Sequence, residues 1–119
     1  MKYAPYLYKV LDWNVVDGDT LDLTVDLGFG LTFKFRGRLM RADAPDISTA
    51  RTKEELEEAQ RAKEHLERLL EDYRDNLYVI CSEKPETFNR WLVDLLAYDE
   101  VTKEYVSLAD KMISYLRQK

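Results

Sequence analysis

Two short stretches of this chain set carboxylates and guanidinium groups close together in sequence. Asp17-Gly18-Asp19-Thr20 carries two carboxylates, and residues 36–46, RGRLMRADAPD, carry three arginines and two aspartates. Both signs at this density suit a ligand that is itself mixed, such as a phosphate with a divalent metal. Two carboxylates brought together repel, and one takes up a proton unless a cation compensates. Ca²⁺ accepts monodentate carboxylates, backbone carbonyls and water in flexible geometry. Asp19, Asp43 and the carbonyl of Ala44 would form a partial oxygen shell of that kind. Arg36 and Arg38 would add guanidinium forks matched to a phosphate. The same residues also have a plainer account. Asp17-Gly18 suits a hairpin turn, because Asp-Gly favours positive φ, and Asp46 or Ser48 suits a loop that caps a following helix.

The elements that must position these groups follow from periodicity. Residues 6–16 are rich in β-branched and aromatic side chains and read as a strand. Residues 20–27 alternate, with Leu21, Leu23, Val25 and Leu27 on one face and Asp22, Thr24 and Asp26 on the other. After the turn signal at 28–30, residues 31–41 resume the alternation: Phe33, Phe35 and Leu39 face one way, Lys34, Arg36 and Arg38 the other. In such a meander the turn after the first strand and the end of the third share one edge, so Asp19 and Asp43 can approach each other. Residues 52–73 switch to helical spacing, with a stripe of Leu56, Ala59, Lys63, Leu66, Leu69, Leu70 and Tyr73. Thr52 and Glu55 have capping-box spacing. Residues 76–81 read as a short strand and 90–98 as a strand, with helix as the alternative. Ser107 and Asp110 repeat the capping pattern before a short final helix containing Leu108, Met112, Tyr115 and Leu116. The layout predicts an α+β domain: a small barrel or curled sheet of five strands, with a long helix after the third strand and a short C-terminal one.

The totals agree with one domain across residues 1–119. Hydrophobic residues are 45% and charged residues 34%, the balance of a folded globule and not of a disordered chain. The net charge of −5 argues against non-specific binding to long duplexes, which relies on excess cations. It leaves room for a local phosphate site, since a bound metal adds charge that the count misses. No apolar run approaches the ~18 residues of a membrane span. MKYAPYLYKV lacks the apolar core of a signal peptide, so a cytoplasmic location is expected, with a trimmed secreted form as the alternative; a monomer is the expected state. The lone Cys81 makes no internal disulfide and reads as a core residue. His65 lies beside the helix stripe and is not assigned a catalytic role. Trp13 and Trp91 read as packing residues, as do the tyrosines of the first strand, which could alternatively stack bases. Arg41 is either a surface cation near the phosphate or a partner for Asp43.

Val15-Val16-Asp17-Gly18-Asp19-Thr20, then Arg38, then Asp43-Ala44-Pro45-Asp46, resembles the staphylococcal nuclease (thermonuclease) family, which shows V-(I/V)-D-G-D-T and R-x4-D-(T/A)-P-E. Phe88-Asn89-Arg90-Trp91-Leu92 resembles its later Y-G-R-x-L segment, and residues 106–117 loosely resemble its following helix. The likeness is specific over residues 6–46, loose over 86–117 and silent in the long helix. It implies an OB-type five-stranded barrel and a Ca²⁺-dependent nuclease acting on DNA or RNA, single-stranded by expectation. It also implies that Asp19, Asp43 and the Ala44 carbonyl ligate the metal, and that Arg38 and Arg90 grip the scissile phosphate. Asp46 stands at the family's glutamate, the residue proposed to activate or position water. Two departures matter. Asp46 is one methylene shorter, and a ~1 Å misplacement can lower a rate about 10²-fold. Asn89 replaces a glycine; should the backbone there need positive φ, asparagine is the next most tolerant residue. The alternative to a nuclease is a weakened module that binds single-stranded nucleic acid or a protein partner.

Overall fold

The computed structural model describes residues 7–82, 84–87 and 89–118. Residue 6, the first of the strand read over 6–16, and Phe88 lie outside them. Strands β1 (Leu7–Asp17), β2 (Thr20–Gly28) and β3 (Leu31–Leu39) form the antiparallel meander read from the alternation. Helix α1 (Lys53–Asp72) and a short 3₁₀ turn follow, then β4 (Leu77–Cys81), β5 (Arg90–Asp99), β6 (Glu104–Ser107) and helix α2 (Leu108–Arg117).

β1 pairs with β2 and β4, β4 with β5, and β5 runs parallel to β3 through Arg36↔Arg90 to Leu39↔Val93. The ring β1-β2-β3-β5-β4 is therefore a closed five-stranded mixed barrel of OB-like, α+β type, as expected. Two register shifts in β1 bend it enough to serve both neighbours. β6, which the sequence reading missed, pairs with the far half of β5 on the edge that β3 leaves free. It is four residues long and Glu104 and Tyr105 are exposed, so it leaves no alternation to detect.

Inward side chains of the barrel, including Leu21, Leu23, Leu39, Val79, Val93 and Leu95, are fully or almost fully buried and meet Leu66 and Leu70 of α1 and Leu108 and Met112 of α2. The cap of α1 forms as expected: Thr52 Oγ1 accepts from the Glu55 N–H at 3.1 Å, and Glu55 Oε2 accepts from the Arg51 N–H at 2.7 Å. The buried seam of α1 is Ala59, Ala62, Leu66 and Leu70, whereas Leu56 is exposed. Close approach to the β1–β2 turn requires small residues in the first half of this face. Leu27 and Phe33 are likewise partly exposed and not core. The β2–β3 hairpin overhangs the barrel there, beyond Lys9↔Asp26 on one side and Arg36↔Arg90 on the other.

Candidate metal and phosphate site

Asp17 ends β1 and Thr20 begins β2; they face each other across Gly18 and Asp19. Gly18 does not take the expected positive φ. It is required for another reason: a Cβ there would lie 2.7 Å from Ala62 Cβ and 2.9 Å from Ala44 Cβ. The helix and the loop after β3 thus press on the turn that carries both aspartates.

Asp19 is 3% exposed. Its Oδ1 accepts from Thr20 Oγ1 at 2.8 Å and its Oδ2 from the Ala44 N–H at 3.0 Å. Its backbone carbonyl accepts from the Leu39 N–H at 2.8 Å. A buried carboxylate so bonded is held in one orientation. Asp17 Oδ1 accepts from the Ile47 N–H at 3.0 Å and ties the 43–50 loop to the hairpin. Asp46, on that loop, completes a cluster in which carboxylate oxygens of Asp17, Asp19 and Asp46 all lie within 4.8 Å of one another. The Asp46 residue is exposed, yet its carboxyl is held above the ordinary aspartate range. Partial burial is the main cause, then the charges of Asp17 and Asp19, with Arg38 acting in the opposite sense.

Arg38 faces Thr20 across the β2–β3 ladder. Its Nη2 is 3.3 Å from Asp43 Oδ1 and 3.6 Å from Asp19 Oδ2, so residues 19, 38 and 43 do converge. Asp43 itself is 91% exposed and is not one of the three mutually close carboxylates. Ala44 is buried, and it is the amide N–H of this residue that reaches Asp19.

The other cations are more dispersed. Arg36 makes a two-pronged pair with Asp22, at 2.9 and 3.2 Å. Arg90 stands beside Arg36 in the parallel ladder, on the same outer face as Arg38. It forms an ion pair with Glu86 at 2.8 Å, although its Nε makes no well-aligned hydrogen bond. Asn89 adopts φ 56°, a left-handed conformation that asparagine tolerates better than most residues other than glycine. Arg41, also at positive φ, pairs with Asp110 of α2 at 2.8 Å and with neither Asp43 nor the cluster. His65 stacks on Tyr115 with ring centroids 4.1 Å apart.

Asp17 is the residue that sequence reasoning undervalued. Its signal was the i, i+2 spacing in Asp-Gly-Asp, hidden behind a sufficient explanation as a turn. Three hard oxygen donors with a single guanidinium at the cluster could hold a divalent cation, and they lack the nitrogen and sulfur ligands a zinc site prefers. Comparison with protein-family models, characterised proteins and solved structures finds no match for this chain.

Proposed function

We propose that this protein is a Ca²⁺-dependent phosphodiesterase of the staphylococcal nuclease type that hydrolyses DNA or RNA, with single strands as the favoured substrate. One observation carries the reading: Asp17, Asp19 and Asp46 gather at one edge of the barrel with Arg38 against Asp19. Asp17 and Asp19 are the better fixed cation ligands, each already held by a backbone N–H. Asp43 and the Ala44 carbonyl, the other expected ligands, remain candidates for the outer part of the shell. A bound calcium ion would polarise the phosphodiester and acidify water. Arg38 already points Nη2 at the cluster and donates to a phosphate oxygen in place of Asp43, whose exposed carboxylate is readily exchanged for solvent. Arg90 can add a second guanidinium on leaving Glu86. The raised proton affinity of Asp46 suits it to accept a proton from an attacking water.

Cleavage of single-stranded DNA and RNA with Ca²⁺, against the same reaction in chelator, tests this directly. Asp46→Ala, at an exposed position, is expected to lower the rate by about 10²-fold or more. No cleavage above an Asp19→Ala control rules the enzyme out. Asp46 in place of a longer glutamate, the altered segment before Arg90 and the net charge of −5 favour a second reading, a module that binds single strands or a protein partner with weak or lost turnover. Fluorescence anisotropy with labelled oligonucleotides separates the two: binding without cleavage selects the module. A gain in rate in Asp46→Glu would identify a nuclease limited by reach.

A further inference from the structure

The overhanging β2–β3 hairpin has three features that the site does not use. Its tip is apolar: Phe29 is fully exposed, Leu31 60%, Phe33 43% and Leu27 41%. Its outer edge is open: β5 pairs with β3 only at Arg36–Leu39, so among the described residues Leu31–Phe35 have backbone partners on the β2 side alone. Beside the hairpin base lies a cavity of about 180 Å³, lined largely by apolar groups of Tyr8, Val25, Phe33, Phe35, Cys81 and Trp91. An unpaired edge next to an apolar row is a template for strand addition.

We propose that this edge pairs with the same edge of a second copy, β3 against β3 antiparallel, about a two-fold axis at Phe33. The sequence of the strand selects this partner and register. Centred on Phe33, Phe33 meets its own copy, Leu31 meets Phe35, and Thr32 meets Lys34. Aromatic and aliphatic groups then share one face, and no like charges oppose. Centring on Lys34 would oppose two lysines and require Arg36, whose edge β5 already occupies. The available run also has the right length. Residues 31–35 lie between the turn at 28–30 and the start of the β5 ladder. The tip bearing Phe29 therefore arrives at the start of the partner's β5, where Trp91 lines the cavity. An apolar cavity of ~150 Å³ accommodates benzene, so the volume here is sufficient for a phenyl ring. The buried Trp91 indole N–H, which has no acceptor, gains a π-face from such an occupant. The arrangement is isologous and closes at two copies, a proposal that departs from the monomer expected from sequence.

Sedimentation velocity of the full chain over a range of micromolar concentrations should show a concentration-dependent dimer. Phe29→Ser and Phe33→Lys alter exposed side chains, so both should fold, which far-ultraviolet circular dichroism checks. Phe33→Lys sets like charges opposite one another at the axis and should weaken association by about tenfold or more. Phe33→Glu should do the same, and an equimolar mixture of the two variants should recover the dimer, as only contact between copies at the axis predicts. A wild-type protein that stays monomeric overturns the proposal, as does a dimer insensitive to both Phe33 variants. A monomer that pellets with phosphatidylcholine vesicles through Phe29 would assign the hairpin to lipid and also overturn it.

Discussion

Strand β2 starts and ends in a glycine turn, and the two turns use glycine for different reasons. At the β1–β2 turn Gly18 has an ordinary φ and no room for a methyl group. At the β2–β3 turn Gly28 and Gly30 take φ of 84° and 77° in open space, with Phe29 between them also at positive φ. The first turn is pressed by α1 and orients buried carboxylates. The second is free, carries an exposed phenyl ring and leads into an unpaired edge. Rigid support thus falls where charges must be held together, and exposure falls where backbone and apolar surface remain available.

The sharpest test of this contrast is a matched pair of alanine substitutions. Gly18→Ala should destabilise by about 1–3 kcal/mol through overpacking, and should also disturb Asp17 and Asp19 enough to abolish the rise in melting temperature with calcium that the proposed site predicts. Ala62→Gly in the same molecule should restore part of that calcium response by opening space at the helix. Gly30→Ala should cost about 1 kcal/mol from backbone strain alone and leave the calcium response intact. Equal effects of the two alanines on calcium binding would remove the distinction.

The carboxylate cluster gives a smaller effect whose sign depends on the metal. In chelator, Asp46→Asn should raise the melting temperature slightly, because one of three crowded charges is gone. With Ca²⁺ present the order should reverse, as the wild type gains more from binding. Scanning calorimetry of both proteins in both conditions decides it.

The smallest effect belongs to the seam between the helices. The His65 imidazole is held below its ordinary range, first by burial, then by Arg68 and Lys111. Its folded pKa is lower than its unfolded one, so the stability contributed by the neutral ring is fully present above the unfolded value of about 6.5. That contribution is lost as pH falls through the depressed folded value. His65→Phe should flatten this part of the stability profile, measured by urea melts across mildly acidic pH, and leave the proposed cleavage activity unchanged.

Much of this architecture is legible in the sequence because its signals are local. The alternation of Leu21, Leu23 and Val25 sets β2 in the barrel wall, and Thr52 and Ser107 mark both helix starts through caps that form as read. The approach of Asp19, Arg38 and Asp43 also follows from strand order, since a meander returns both ends to one edge.

Other features depend on distant neighbours. That Ala62 is inward and Leu56 outward reflects how closely α1 approaches Gly18, which helical spacing does not encode. That Asp46 joins Asp17 and Asp19, leaving Asp43 on Arg38, reflects the path of the 43–50 loop, pinned by the Ile47 N–H on Asp17. The chain's own pattern determined its strands, its helices and the sign of the charges at each turn, because propensity, capping and alternation act over a few residues. Only the tertiary fold decided which carboxylates gather and which strand edge stays open, because both depend on contacts between residues far apart along the chain.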